Sequence, residues 1–303
     1  MSLNPDAQID TSQVEDTRGS SGGGGFGRLP IPTGRGGIIG LIATVIVLLA
    51  GGGFAGSQML GGGQPGNGNL NQECATSNPD RLTNLDCRNA LYINSIQDFW
   101  QDELPKAYGM AYQKAGTEFF SGQTQTGCGA ADSGTGPFYC PADRKVHIDL
   151  TFYQELTNRF GAKGEFAQPY VLAHEYGHHV QDLVGTMAKV NRAEQQGGSS
   201  ANRFSVMLEL QADCFAGVWA KHATETTDAA GHKIFTAVAA QDIQDAVNAA
   251  GSVGDDAIQR QAGQQVNQDS FTHGSSAQRE HWFTQGYQTG DPKGCDTFAG
   301  ALP

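Results

Sequence analysis

The sequence predicts an α+β fold in which a mostly helical domain with a small sheet follows one transmembrane helix. Three observations support this fold class. Apolar residues recur at three- and four-residue spacing in several stretches after residue 90, one short stretch alternates apolar and polar residues, and residues 37–56 carry no charge. These are the signals of amphipathic helices, of a half-buried strand and of a segment that can cross a bilayer.

The helical and strand segments can be assigned in chain order. Residues 90–120 predict one or two helices, and residues 145–152, KVHIDLTF, alternate as a strand does. Residues 169–184 begin with a proline and are followed by Gly185, which is the asymmetry expected of a helix. Three later stretches also have helical periodicity: residues 204–222, 233–250 and 276–287.

The first quarter of the chain predicts three segments ahead of the domain, which spans residues 73–303. Residues 1–36 are rich in Gly, Ser, Asp and Pro and predict a disordered tail. Residues 37–56 match the roughly 30 Å hydrocarbon core of a bilayer and predict a transmembrane helix. A buried core helix or a cleaved signal peptide would have a similar composition. Residues 57–72 predict a Gly-rich linker.

Basic residues near the apolar segment predict its orientation. Arg28 and Arg35 precede it, whereas residues 51–70 contain no basic residue. The positive-inside rule then places the N-terminus in the cytoplasm and the domain outside, in a single-pass protein of the cell membrane.

The cysteines agree with a domain outside the cytoplasm. All six follow the apolar segment, and an even number in such a domain indicates disulfides. A cysteine-ligated zinc site is the alternative, but no C-x-x-C occurs. The simplest pairing joins Cys74 to Cys87 and Cys128 to Cys140, which leaves Cys214 with Cys295.

The overall charge argues against a nucleic-acid partner. The formal net charge is -12 and the pI is about 5.0, whereas binding to phosphates needs clustered Lys and Arg.

The segment VLAHEYGHHVQ contains the pattern H-E-x-x-H. On a helix, His174 and His178 lie on one face, so both imidazoles can bind the same Zn²⁺ ion. Glu175 follows the first of these histidines, and its carboxylate can accept a proton from a water molecule that the metal makes acidic. A solvated helix face with paired charges is the alternative interpretation of these residues.

A second pair of residues, in LELQADCFAG, indicates the rest of the site. Glu209 and Asp213 are four residues apart on the next predicted helix. Glu209 would complete a set of two histidines and one glutamate and leave a fourth position open. Asp213 could accept the free ring N–H of His174 and so fix the orientation of that ring. A surface acidic patch is the alternative, but the neighbouring residues are apolar.

These motifs resemble those of a known family. HEYGHH followed by E-L-x-A-D is similar to the gluzincin class of metallopeptidases, and residues 74–298 resemble the bacterial putative neutral zinc metallopeptidase family. GPFYCPADRKVHIDLTFY, QPYVLAHEYGHHVQ, ELQADCFAGVW and THGSSAQREHWFTQGY carry the resemblance. It implies a zincin-like fold, zinc bound by two histidines and a glutamate, and a single-pass membrane anchor, and it leaves the substrates of the family undefined. The expected partner of a metallopeptidase is a peptide or protein substrate.

Several other residues carry weaker expectations. The resemblance suggests that His273 hydrogen-bonds a developing oxyanion, although a loop histidine is as good an interpretation. Arg279 could pair with a carboxylate of the site. His179 points about 100° away from His178 and is not expected to be a ligand. Gly177, in mid-helix, predicts a close backbone approach. As an edge strand, residues 145–152 could pair with an extended substrate.

Three functions remain open at this point. The leading hypothesis is a membrane-anchored zinc peptidase with Glu175 as general base. The second is a zinc-binding protein of the cell envelope, or an interaction protein, with little catalytic activity. The third is hydrolysis of a non-protein amide, which the same residues could catalyse. The physiological substrate and the oligomeric state are not predicted.

Overall fold

The structure, a computed structural model, describes residues 1–19, 68–195 and 201–299, which contain nine α-helices, five short 3₁₀ helices and eight short strands. The fold is α+β and mostly helical, as predicted. The helices are α1 (Gly68–Glu73), α2 (Leu85–Tyr108), α3 (Phe152–Asn158), α4 (Ala167–Leu183), α5 (Thr186–Gln195), α6 (Ala201–His222), α7 (Ala240–Ser252), α8 (Asp255–Gln261) and α9 (Ser276–Thr289).

A four-stranded sheet lies beside the helices in the order β2-β3-β7-β6. The first three strands are parallel, and β6 runs antiparallel to β7. Two short two-stranded pairs, β4–β5 and β1–β8, lie outside this sheet. The strands are β1 (Ser2–Leu3), β2 (Val14–Asp16), β3 (Gly116–Phe119), β4 (Gln123–Thr126), β5 (Gly129–Asp132), β6 (Phe138–Cys140), β7 (Lys145–Ile148) and β8 (Phe235–Ala237).

Two predicted elements differ in their bounds. The strand predicted for residues 145–152 ends at Ile148, and Phe152 begins α3. Because β7 pairs with β3 on one side and β6 on the other, it is an inner strand. The expectation that residues 145–152 form a free edge for substrate is therefore wrong.

The helix predicted for residues 233–250 divides into β8 and α7. Phe235 is buried beside β1 before the helical periodicity begins.

Helices α6 and α9 pack at very short range. A Cβ at Gly286 of α9 would overlap the carbonyl oxygen of Cys214 in α6, and one at Gly217 of α6 would overlap the carbonyl oxygen of Phe283. Only glycine, which has no side chain, allows two helix backbones to lie so close together. This contact holds α9 against the helix that carries Glu209.

The predicted disordered tail of residues 1–36 is wrong for residues 1–19. Val14–Asp16 pair with β3, and Ser2–Leu3 pair with β8. Ala7 and Val14 are buried. An average over 36 residues hides a few apolar side chains, and an edge strand is held largely by backbone hydrogen bonds, which composition does not reveal.

The predicted linker of residues 57–72 is wrong at its end, because Gly68–Glu73 form α1 and Leu70 is buried. The predicted transmembrane helix, residues 37–56, lies outside the described residues. Among those that the structure describes, no helix is both long enough and apolar enough to cross a membrane.

All three expected disulfides are present. Cys74 is bonded to Cys87, Cys128 to Cys140 and Cys214 to Cys295. The first fastens α1 to α2. The third joins α6 to the turn that follows α9, across 81 residues of chain. The prediction of the pairing is confirmed.

Candidate metal centre

Helices α4 and α6 bring the two predicted motifs together. Gly177 lies between His174 and His178, and a Cβ there would be 3.0 Å from the Cα and carbonyl oxygen of Ala212. The expected close backbone approach at Gly177 is thus observed. Ala212 lies between Glu209 and Asp213, so this close approach of the two helices lies at the centre of the site.

Three potential metal donors converge at this point. The Nε2 atom of His174 is 3.2 Å from one carboxylate oxygen of Glu209, and Nε2 of His178 is 3.3 Å from the other. All three side chains are buried, and one donor atom from each lies within 4.8 Å of the other two. Two imidazole nitrogens and one carboxylate suit Zn²⁺ and leave room for a fourth ligand.

A buried ion pair orients His174. Its Nδ1 donates to Asp213 at 2.8 Å, which leaves the Nε2 lone pair for a metal. Asp213 is fully buried and also accepts two hydrogen bonds from Arg279, at 2.7 and 2.9 Å, and one from the Tyr170 hydroxyl at 2.6 Å. Arg279 thus neutralises the carboxylate that holds the ring.

A glutamine orients His178 in the same way. Nδ1 of His178 donates to Oε1 of Gln181 at 2.9 Å, and Nε2 of Gln181 donates to the backbone carbonyl of Leu208 at 2.7 Å. The amide therefore links the second histidine to the residue before Glu209, and joins α4 to α6.

The electrostatics of the three donors favour a bound cation. Burial alone would lower the pKa of His174, but Asp213 and Glu209 outweigh burial and raise that pKa to about 10. Burial would raise the pKa of Glu209, but His178 and His174 hold it well below its usual range. The Glu209 carboxylate is therefore charged, and it faces two nitrogens that bind either protons or a metal ion.

Glu175 occupies a different position from the donors. It is only 7 % exposed, and its Oε2 has no hydrogen-bond partner in the part of the chain that the structure describes. Burial raises the pKa of this carboxyl group above its usual value. A buried oxygen without a partner is costly unless water or a ligand reaches it. Glu175 also lines the cleft in front of the donors, so its carboxyl group lies beside the space where a molecule would bind.

His273 lies at the same cleft and is 4 % exposed. Its Nδ1 is 3.3 Å from Asp255, and its backbone N–H donates to the other oxygen of that carboxylate at 2.7 Å. Asp255 also accepts from the backbone N–H groups of Thr272 and Gly274, at 2.8 and 3.0 Å. The start of α8 thus fixes the loop that carries His273.

The cleft has an empty volume of about 630 Å³ and is mostly apolar away from the donors. Its apolar wall comes from three helices and from the loop before β6, and it is formed by Pro137, Phe152, Leu156, Val171, Ala249 and Val253. Such a wall, with a few polar groups at one end, is typical of a site for an organic ligand.

The remaining histidines lie elsewhere. His179 uses both ring nitrogens, with the Tyr139 hydroxyl at 3.0 Å and the Gln113 carbonyl at 2.6 Å, so neither is free for a metal. A second group of donors, Cys140, Asp143 and His147, also lies close together. The sulfur of Cys140 is bonded to Cys128, however, and is not available as a thiolate ligand.

Sequence reasoning missed or undervalued four residues of the site. Arg279 was expected to pair with a carboxylate, but its partner was not predicted. Gln181 could have been found, because it lies three residues after His178 and so one turn further along the helix. Tyr170 and Asp255 had no comparable signal, since their partners are distant in sequence.

Comparisons with known proteins agree with this geometry. The model of a family described as "putative neutral zinc metallopeptidase" matches residues 6–298. The chain is 41 % identical over 300 residues to the uncharacterized protein YpfJ of Escherichia coli K12, covering 97 % of this chain and 98 % of that protein. It is 47 % identical over 219 residues to the uncharacterized protein Rv2575 of Mycobacterium tuberculosis, covering 72 % of each. No solved structure matches.

Proposed function

Since this chain belongs to the putative neutral zinc metallopeptidase family, we propose that it hydrolyses peptide bonds in peptides or proteins at the centre formed by α4 and α6. His174, His178 and Glu209 hold the Zn²⁺ ion that the family implies. When bound, zinc supplies a Lewis acid that acidifies water and polarises a carbonyl group. A zincin-like fold is part of this proposal.

Glu175 is the general base. A buried carboxyl group that lines the cleft beside the three donors is the single observation that carries the catalytic assignment. A structural zinc site is usually closed by four protein ligands and needs no base. Here a buried carboxyl group with a raised pKa faces the open side of the donors. It accepts the proton of the attacking water and passes it to the leaving nitrogen.

His273 is the second catalytic residue of the proposal. With Nδ1 accepting from the Thr272 hydroxyl at 3.0 Å, the ring proton lies on Nε2, which has no protein partner among the described residues, and the side chain lines the cleft. An N–H donor in this place stabilises the oxyanion that forms when water attacks the carbonyl carbon.

The proposal also places the domain outside the cytoplasm, at the membrane. Three disulfides support an oxidising compartment. Association with the membrane rests on the uncharged sequence of residues 37–56, and it does not require the N-terminus and the domain to lie on opposite sides.

Removal and return of the metal test this function. Full-length protein is stripped with a chelator, and its cleavage of a mixed peptide library is measured before and after one equivalent of zinc is added. We expect cleavage to stop and then to recover. The exposed control His281→Ala should behave as the unmodified protein does, whereas Glu209→Gln should not recover. Stoichiometric zinc binding without cleavage of any peptide would instead support a non-catalytic zinc protein.

A further inference from the structure

The N-terminal segment, residues 1–19, is built into the same fold as the zinc centre. Val14, Glu15 and Asp16 lie opposite Thr117, Glu118 and Phe119 as the outer parallel strand of the sheet. At the other end of the segment, β1 pairs with β8, so the segment contacts two separate parts of the domain.

Side chains of the domain depend on this segment for their partners. The Asn94 amide accepts from the backbone N–H of Asp10 at 2.8 Å and donates to its carbonyl at 3.0 Å. Buried Arg81 donates to the carbonyl of Pro5 at 2.5 Å. Without residues 1–19, these groups of Asn94 and Arg81 would lose those partners, which is costly for buried polar groups.

Ion pairs also join the N-terminal segment to the domain. Lys145 of β7 contacts Glu15 at 2.5 Å, and Arg18 contacts Asp86 of α2 at 2.5 Å. Both pairs join residues far apart in sequence, so they form only when the segment lies on the domain.

The N-terminal segment also contacts the first described helix after the apolar segment. Thr11 is hydrogen-bonded through its hydroxyl to the side chain of Asn71. Asn71 lies in α1, which the Cys74–Cys87 disulfide fastens to α2. Residues on the two sides of the apolar segment are thus in direct contact.

A polypeptide that crosses a bilayer once has its two ends on opposite sides. Residues 37–56 have the length of one crossing, about 20 residues, and not of two. A single crossing with the N-terminus in the cytoplasm and the domain outside is therefore incompatible with the contacts of residues 1–19.

We infer that residues 1–19 occupy the same compartment as the zinc centre, in place of the cytoplasmic N-terminus expected from the flanking arginines. The positive-inside rule compares charges near a span, and it takes no account of a strand that must pair with the domain. This inference is independent of peptidase activity.

Labelling of intact cells tests the inference. Gln8→Cys and Gln288→Cys place a thiol at an exposed position of the N-terminal segment and of α9, respectively. Each full-length variant is exposed to a membrane-impermeant maleimide before and after lysis. We expect either that both positions react before lysis or that neither does. Reaction of both in intact cells would agree with a domain outside the cytoplasm. If neither reacts, the compartment in the proposed function is wrong but the inference holds.

Labelling of position 288 in intact cells, with position 8 reactive only after lysis, would overturn the inference. Because an added thiol can disturb the disulfides, the measurement is repeated with an azide-bearing amino acid at the same two positions and an impermeant cyclooctyne. The same pattern of labelling is expected, and opposite sides would again contradict it.

Discussion

Each candidate ligand histidine of the metal centre uses Nδ1 within the protein and turns Nε2 toward Glu209. For His174 the partner is Asp213, which Arg279 neutralises, and for His178 it is the uncharged amide of Gln181. Such partners fix the tautomer and the orientation of a ligand before the metal arrives.

Replacement of Gln181 tests this positioning. In Gln181→Leu, the Nδ1 of His178 and the carbonyl of Leu208 lose their partner, so the ring is no longer held. We expect zinc to bind about 10- to 100-fold more weakly, measured by competition with a fluorescent chelator. Gln244→Leu, at an exposed position of α7, is the matched control. Unchanged zinc affinity in Gln181→Leu would show that the amide does not position the ligand.

At the scale of residues, the sequence predicted those features of the site that depend on the spacing of residues within one helix. His174 and His178 are one helical turn apart, as are Glu209 and Asp213, so both pairs could be recognised. That Arg279 pairs with Asp213 and that Asp255 holds His273 depend on how α8 and α9 pack. No pattern in the sequence specifies that packing.

At the scale of elements, close packing of α6 against α9 carries Arg279 to the site. The variant Gly286→Ala places a methyl group where it would overlap the carbonyl oxygen of Cys214. We expect a loss of about 1–3 kcal/mol from overpacking, which exceeds the gain of about 1 kcal/mol from helix propensity. Denaturant unfolding measures the difference, with Gln288→Ala on the same helix as control. A more stable Gly286→Ala would contradict the packing.

The wall formed by α3, α4 and α7 predicts the type of side chain that the cleft accepts. Val253 is half-buried at the end of α7 and lines the cleft. In Val253→Phe the larger ring narrows this apolar region. We expect kcat/KM to fall by roughly 10-fold for peptides with a large apolar side chain beside the cleaved bond, and less for alanine. Zinc content should not change, and an equal loss for both peptides would exclude this wall as a specificity element.

Helices were the most predictable elements of the fold. The periodicity of residues 169–184 and 204–222 gave α4 and α6 to within a few residues, because helices of 17 and 22 residues repeat the helical pattern over several turns. Short strands were missed, since three or four residues carry little periodic signal. Pairing of β7 on both sides could not be predicted, because its partners β3 and β6 have four and three residues and were not recognised as strands.

At the scale of the whole molecule, the disulfides restrict different lengths of chain. Cys214–Cys295 spans 81 residues, whereas Cys74–Cys87 spans 13. Chain-entropy arguments predict that removal of the longer link, with both cysteines changed to alanine, costs about 1.5 kcal/mol more than removal of the shorter one. Denaturant unfolding of the two double variants measures this difference. Equal losses in the free energy of unfolding would show that chain entropy does not determine how much each disulfide stabilises the protein.

Domain boundaries were the least predictable feature at this scale. Composition separates residues 1–36 from the rest, yet residues 14–16 form the outer strand of the four-stranded sheet. Averages of polar and apolar residues do not detect a strand that is held in the sheet mainly by backbone hydrogen bonds.

Zinc content and peptide cleavage, measured on one preparation of Glu175→Gln, test the proposed centre most directly. The donors His174, His178 and Glu209 are unchanged in this variant, whereas the general base is lost. We expect one zinc per chain, as in the unmodified protein, and cleavage reduced by at least about 100-fold. Undiminished cleavage by the zinc-loaded variant would contradict the catalytic role of Glu175 and the proposed mechanism.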